Sequence, residues 1–234
     1  MAYIDGFVLA VPAERKEAYR NMALEALVHF KEYGALRLVE AWGDEVPDGT
    51  VTDFKSAVKA QPSEVVVFSW IEYPDKATRD QANRRMAAEM TEVKEMPFDP
   101  KRMIYSGFAP LNDEGRPSRP GYIDGFVAPV PTANKAAYRD FAARHAQVLL
   151  ELGATRVVDA WGDDVLDGTT TDFKGAVKAN GDETVVFSWI EWSSKEVREQ
   201  AWQKAMSDPR MRDQPMPFDG RRTIYGGFAP LVDQ

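Results

Sequence analysis

A long internal repeat is the feature that most constrains how this sequence can fold. The segment Tyr-Ile-Asp-Gly-Phe-Val at residues 3–8 returns at residues 122–127, so the two copies are offset by 119 residues. A repeat of that length has the size of a whole domain and is too long for one unit of a solenoid. The sequence therefore predicts one domain, duplicated head to tail within a single chain.

Further motifs return in the same order along both copies. They are Ala-Trp-Gly-Asp at residues 41–44 and 160–163, Thr-Asp-Phe-Lys at 52–55 and 171–174, Val-Val-Phe-Ser-Trp-Ile-Glu at 66–72 and 185–191, and Met-Pro-Phe-Asp at 96–99 and 216–219. The stretch between the copies is polar and rich in glycine and proline, as linkers often are. We expect a first domain over residues 1–111, a linker over 112–121 and a second domain over 122–234.

Each copy has the pattern of a βαββαβ unit. In the first copy, residues 3–11 have strand-forming types and end at Pro12. Apolar residues at helical spacing from Tyr19 to Phe30 predict a helix that ends near Gly34. The β-branched and aromatic run at residues 65–72 predicts another strand. The order of these elements is that of a ferredoxin-like fold.

The strand over residues 65–72 is apolar on both faces. One face receives Val65, Val67 and Ile71, and the other receives Val66, Phe68 and Trp70. A sheet that is buried on both faces needs a second partner besides its own helices. We expect an α+β fold in which two ferredoxin-like repeats pack sheet to sheet as an intrachain dimeric α/β barrel, closed or nearly closed.

The repeated motifs resemble the YbaA-like family of uncharacterised bacterial proteins. The resemblance rests on the segment at residues 3–8, the Trp-Gly-Asp turn at 42–44, the Thr-Asp-Phe-Lys element at 52–55, the Phe-Ser-Trp-Ile-Glu strand at 68–72 and the Met-Pro-Phe-Asp turn at 96–99. It covers nearly the whole chain, twice, and implies the dimeric α/β barrel fold, usually built from two separate subunits. This chain departs from that pattern by fusing the two copies. The resemblance brings no established activity.

The composition of the chain limits the classes of partner that it can bind. The chain has 234 residues, a formal net charge of −8 and no cysteine. An acidic protein is poorly suited to bind nucleic acid, so we expect no nucleic-acid partner. The lack of cysteine excludes disulfides and thiolate metal sites and suits a cytoplasmic location. We see neither a signal peptide nor an apolar run of 18 residues, so no membrane partner is expected.

The Thr-Asp-Phe-Lys element is an insertion where a minimal unit needs only a short hairpin. Asp53 and Lys55, with Asp172 and Lys174 in the second copy, are therefore candidates to hold a ligand at the mouth of the barrel. In the alternative interpretation, the aspartate caps a short helix and Phe54 closes the edge of the sheet.

Four tryptophans are candidates for the wall of a pocket: Trp42, Trp70, Trp161 and Trp189. Ligand pockets combine aromatic walls with a few polar groups, although buried tryptophans more often belong to the core.

Ser69 and Ser188 lie in the middle of apolar strands and are candidates for hydroxyl groups that face a ligand. A serine nucleophile needs a base nearby. Because His29 and His145 do not correspond across the repeat, we expect no catalytic triad.

No phosphate-binding glycine motif and no metal-ligand spacing is present, so we expect neither a metal nor another cofactor. The sequence favours a protein that binds a small organic molecule in the barrel cavity or at its mouth. Two alternatives stay open: a cofactor-independent enzyme (oxygenase, isomerase or lyase type) on a small organic substrate, and a structural or assembly protein without a ligand. An enzyme should have a perturbed pKa near Asp53 or Glu72. The intrachain pseudo-dimer is compatible with a monomer in solution.

Overall fold

A computed structural model describes residues 2–89 and 95–234 of the chain. The first copy contains β1 (Tyr3–Pro12), α1 (Lys16–Glu32), β2 (Arg37–Glu45), α2 (Phe54–Ala57), β3 (Glu64–Tyr73), α3 (Lys76–Glu89) and β4 (Ile104–Gly115). The second copy contains β5 (Tyr122–Pro131), α4 (Lys135–Glu151), β6 (Ala154–Asp164), α5 (Phe173–Ala176), β7 (Glu183–Trp192), α6 (Lys195–Ala205), α7 (Pro209–Arg212) and β8 (Ile224–Asp233).

The eight strands form one closed barrel in the order β1-β3-β2-β8-β5-β7-β6-β4. Each copy supplies four strands, and the copies meet at two antiparallel seams, β2 with β8 and β4 with β6. The predicted α+β architecture, an intrachain dimeric α/β barrel, is confirmed. Closure leaves no unpaired edge among the eight described strands, which explains why both faces of each sheet can be apolar.

Aromatic side chains from both copies fill the interior of the barrel. The rings of Phe68 and Phe187 stack with their centroids 4.4 Å apart, and those of Trp70 and Trp189 stack at the same distance. All four side chains are fully buried. Stacked aromatic rings thus occupy this part of the interior, where the sequence predicted a ligand.

The long helices pack against the outside of the barrel. Tyr19, Ala23 and Leu27 form the buried stripe of α1, and Tyr138 and Ala142 lie at the equivalent positions of α4. Along each strand, side chains alternate between the aromatic interior and these helix-covered outer faces. Each copy therefore has a helix–sheet interface of its own, separate from the shared interior.

The connection between the copies is shorter than predicted. Strand β4 continues to Gly115, so residues 112–115 belong to a strand and only residues 116–121 form the connection. Asn112 lies opposite Asp159 of β6, and the pairing runs on to Gly115 opposite Arg156. The polar composition of residues 112–115 predicts a linker. In the structure, β6 of the other copy supplies the backbone hydrogen-bonding partners that hold these residues in the sheet.

Candidate functional site

Asp53 caps the short helix α2. Its carboxylate accepts hydrogen bonds from the backbone N–H of Ser56 at 2.6 Å and of Gly49 at 3.1 Å. Burial alone would raise the pKa of Asp53, but these N–H donors bring it below its ordinary value. Lys55 forms an exposed ion pair with Asp48 at 2.8 Å. The polar groups of this insertion thus bond to one another.

The second insertion has the same arrangement. Asp172 accepts from the backbone N–H of Gly175 at 2.6 Å, and Lys174 pairs with Asp167 at 2.7 Å. The fold brings the two insertions together at one end of the barrel, where the hydroxyl of Thr52 donates to the carbonyl of Ala176 at 2.7 Å. These contacts match the alternative interpretation, a capped helix at the end of the barrel.

The opposite end of the barrel is closed by reciprocal ion pairs between the copies. Arg37 donates to Glu191 at 2.7 Å, and Arg156 donates to Glu72 at 2.8 Å. Each of these glutamates also accepts the indole N–H of a barrel tryptophan at 3.1 Å. Glu72, where an enzyme was expected to keep a perturbed carboxyl, is therefore an arginine-bound structural group.

The four predicted tryptophans fall into two separate places. Trp70 and Trp189 stack inside the barrel, whereas Trp42 and Trp161 lie on its outer face. The ammonium groups of Lys16 and Lys135 lie 5.0 and 5.2 Å from the ring centroids of the outer pair. The tryptophans are therefore not brought together into the wall of one pocket.

A cavity of about 140 Å³ lies between helix α4 and the outer face of the sheet in the second copy. Its lining is mostly apolar and includes the aromatic side chains of Phe126, Phe141 and Phe218. Polar side chains also line it, and they are Tyr138, His145, Asp159, Ser188 and Thr223. We take this cavity as the candidate functional site.

Asp159 of β6 lies on the floor of the cavity and is only 8% exposed. Its Oδ1 accepts two hydrogen bonds, from the hydroxyl of Tyr138 at 2.9 Å and from that of Ser188 at 2.8 Å. Burial raises the pKa of the Asp159 carboxyl, and the hydroxyl donors offset part of that rise. The floor is thus a buried acid held in place by two hydroxyl groups.

Among the predicted site residues, Ser188 and Trp189 line this cavity, and the hydroxyl group of Ser188 lies at its floor. Asp159 and Tyr138 were not predicted. A signal was present in the sequence: Asp159 interrupts the apolar run at residues 157–161. A carboxylate in a strand that is covered by a helix must be buried, which is costly unless it is bonded or functional.

His145 of α4 lines the side of the cavity and was not among the predicted site residues. Its Nδ1 lies 2.9 Å from the carbonyl oxygen of Phe141. Burial lowers the pKa of His145 below its ordinary value. The residue was discounted because the first copy has Ala26 at this position, a criterion that assumes the same chemistry in both copies.

In the part of the first copy that the structure describes, the same polar triad is covered by larger apolar side chains. The hydroxyl of Tyr19 donates to Glu40 at 2.6 Å. Burial raises the pKa of Glu40 to about 7, although hydrogen bonds from Tyr19 and Ser69 lower it in part. Leu9 and Met103 pack here in one apolar cluster with Tyr19.

The equivalent positions of the second copy carry smaller side chains. Ala128 stands where the first copy has Leu9, Thr223 where it has Met103, and Asp159 where it has Glu40. These three replacements remove side-chain volume from one interface, and all three residues line the cavity of the second copy.

Within residues 2–89 and 95–234, no three His, Cys, Asp or Glu side chains are grouped so that they could hold a metal ion. None of the described helices is both long and apolar enough to cross a membrane.

Comparison with known proteins finds close relatives of half this length. The "Uncharacterized protein YbaA" of Escherichia coli K12 is 61% identical over 117 residues, which cover 49% of this chain and 100% of the relative. The protein of the same name from Shigella flexneri gives the same values. The relative thus corresponds to a single copy of the repeat.

Solved structures share the fold over nearly the whole chain. A proposed monooxygenase of Lactobacillus acidophilus NCFM matches with a TM-score of 0.59 at 9% identity, covering 99% of this chain and 95% of its own. An anthrone oxidase-like protein matches with a TM-score of 0.57 at 13% identity, covering 100% and 92%. At such identities the likeness concerns the dimeric α/β barrel fold alone.

The family assignment rests on both halves of the chain. One family model matches residues 2–100 and again residues 121–220, and each match contains β1 to β3 or their counterparts β5 to β7. The chain therefore belongs to the family described as "Protein of unknown function (DUF1428)", of which it carries two copies.

Proposed function

We propose that the protein binds a small, largely apolar organic molecule in the cavity between α4 and the sheet of the second copy. The observation that carries the proposal is the buried Asp159, held by Tyr138 and Ser188 at the floor of an aromatic-walled cavity. Ligand pockets have this composition: apolar walls and a few fixed polar groups that orient the ligand.

The size and lining of the cavity define the class of ligand. An apolar cavity of roughly 150 Å³ can hold a benzene-sized molecule, and this one measures about 140 Å³. Transfer of a charged ligand between apolar walls would cost more than transfer of a neutral one. We therefore expect a neutral compound with a single ring and one oxygen-containing group that meets Asp159.

Two proteins that share this fold are described as a proposed monooxygenase and an anthrone oxidase-like protein. This analogy at the level of the fold fits a site for a small organic molecule, although it does not name the molecule. A purely structural role leaves unexplained why small side chains open a space above a buried acid.

Phenol is a suitable probe, because it has one ring and one hydroxyl group. We expect ligand-observed NMR to detect phenol bound to the full chain, with a dissociation constant on the order of 1 mM. Ala128→Leu combined with Thr223→Met installs the side chains of the first copy and should abolish the signal. Glu40→Gln changes only the floor of the first copy and serves as the matched control.

Phenol binding of equal strength to the wild type and to the double variant would place the ligand elsewhere. Absence of binding to the wild type would contradict the proposed ligand class. In both measurements, a thermal melt of each variant establishes that it is folded.

We also propose that the chain acts in the cytoplasm as a monomer, because its second copy takes the place that a second subunit has in related barrels. Light scattering should give the mass of one chain, and the mass of two chains would contradict this assembly. Cell fractionation tests the location.

A further inference from the structure

Two titratable side chains on different elements face the same cavity. Asp159 of β6 lies at its floor, and His145 of α4 lies at its side. We propose that this cavity catalyses a proton-transfer isomerisation of a neutral carbonyl compound with a single ring, with His145 as the base and Asp159 as the acid that faces the carbonyl oxygen. The inference rests on the proposed binding function and adds a reaction to it.

The hydrogen bond of His145 decides which ring nitrogen can act as the base. Nδ1 lies 2.9 Å from the carbonyl oxygen of Phe141, and a carbonyl can only accept, so Nδ1 carries the hydrogen. In the neutral imidazole, Nε2 then has the free lone pair. Because burial lowers the pKa of His145 below its ordinary value, the ring is neutral at pH 7 and ready to accept a proton.

Burial and hydrogen bonds act in opposite directions on the pKa of the Asp159 carboxyl, and burial is the larger of the two effects. Burial raises the pKa of its carboxyl, which favours the neutral form. Tyr138 and Ser188 both donate to Oδ1, and the side chain of Asn112, opposite Asp159 in the sheet, also lowers the pKa of this carboxyl. Since Oδ1 already accepts two hydrogen bonds, we place the proton of the neutral form on Oδ2. A buried neutral carboxylic acid is an effective hydrogen-bond donor to a carbonyl whose oxygen becomes negative during enolisation.

The reaction balances without any further reactant. His145 Nε2 removes a proton from the carbon next to the carbonyl group, and the electrons of that C–H bond form a C=C bond. The carbonyl electrons move to oxygen, which Asp159 stabilises with its proton. The imidazolium then returns the proton to a different carbon, and the C=O bond forms again. No electrons enter or leave, so the product is an isomer of the substrate.

The first copy provides an internal control. It has Ala26 in place of the histidine, and Leu9 and Met103 pack above its own acid, Glu40. A reaction that needs both the base and the space should therefore occur only in the second copy.

The probe is cyclohex-3-enone, a neutral six-membered ring whose isomerisation to cyclohex-2-enone is followed by ultraviolet absorbance of the conjugated product. In D2O, NMR also detects deuterium entering the carbon next to the carbonyl. We expect the wild-type chain to accelerate both processes above the buffer rate. General acid–base groups typically contribute factors of 10² to 10⁴, so His145→Ala should lower the rate by roughly 100-fold or more, and Asp159→Asn by at least about 10-fold.

Added imidazole should restore part of the rate of His145→Ala, because it can enter the space that the side chain leaves. A merely structural role of His145 predicts no such rescue. Glu40→Gln should retain the full rate. An unchanged rate in His145→Ala would overturn the assignment of the base.

The two proposals fail in different ways. If cyclohex-3-enone displaces phenol from the wild type but is neither isomerised nor deuterated, catalysis is overturned and binding stands. If neither compound binds to the wild type, both are overturned.

Discussion

The two copies are alike inside the barrel and differ at several positions on its outer faces. In the interior, Trp70 and Trp189 stack on each other as equivalent residues. On the outer faces, Leu9 of the first copy corresponds to Ala128 of the second. The interior is a single space to which both copies contribute, so a change in one copy disturbs the packing of the other. Each outer face is covered by its own helix and can change independently.

This difference fits the two roles that we propose within one polypeptide. The shared interior stabilises the barrel, and the outer face of the second copy has the space and the titratable groups for a ligand. The first copy keeps an equivalent buried acid, Glu40, but packs apolar side chains above it.

The largest expected effect on stability tests whether the two copies contribute equally to the barrel interior. Trp70→Ala and Trp189→Ala should each lower the free energy of unfolding by about 3–5 kcal/mol, because each removes a fully buried aromatic side chain. Chemical denaturation measures both values. Since the rings are in contact, the double variant should lose less than the sum of the two changes. A large difference between the unfolding free energies of the two single variants would show that the copies do not contribute equally to the interior.

A smaller effect separates the two outer faces. Leu9→Ala should cost roughly 2–4 kcal/mol of unfolding free energy, because Leu9 is buried in the cluster around Tyr19. Ala128→Leu places a similar side chain against an existing cavity and should leave stability within about 1 kcal/mol of the wild type. Equal losses in the two variants would contradict the idea that only the second copy has this space.

The aspartates of β1 and β5 have different hydrogen-bond partners, and Asp5 of β1 should make the stability of the protein depend on pH. Asp124 accepts hydrogen bonds from Arg198, Trp192 and Trp202. Its counterpart Asp5 has Asn83 as a donor at 3.2 Å. Burial is the largest cause that raises the pKa of Asp5, from 3.8 to about 6, while the Arg79 guanidinium opposes the rise.

A raised pKa means that the folded state binds the proton more tightly than the unfolded state does. The contribution of Asp5 is therefore most favourable below about pH 4 and is lost as the pH rises through about 6. At 1.36 kcal/mol per pKa unit, the change is roughly 2–3 kcal/mol. Denaturation of the wild type and of Asp5→Asn between pH 4 and 8 should give a stability difference that varies with pH by this amount. A stability difference that does not vary with pH would contradict the raised pKa of Asp5.

The smallest effect concerns the twin insertions. Asp53→Ala and Asp172→Ala each remove a helix cap and should lower the unfolding free energy by about 1 kcal/mol. Phenol binding should not change, because neither residue lines the cavity of the second copy. Lost binding in either variant would restore the insertions as ligand-binding candidates.

The sequence by itself determined the architecture. The repeat at residues 3–8 and 122–127 defines two copies, and the run at residues 65–72, apolar on both faces, requires a second sheet as partner. Such patterns follow from local geometry, since side chains alternate along a strand and apolar surface must be buried. The partners of Arg37 could also be anticipated as carboxylates, but not that Glu191 of the other copy would be one of them.

Only the tertiary structure decided where a ligand could lie. Whether aromatic residues line a space or fill it depends on distances between elements far apart in sequence: Trp70 and Trp189 turned out to fill the barrel. Conversely, the small side chains of Ala128 and Thr223 line the cavity of the second copy. Their size has a structural effect only because a helix packs against the sheet at this place. The sequence pattern specifies which faces are buried, whereas the fit of the packed surfaces determines whether a space remains between them.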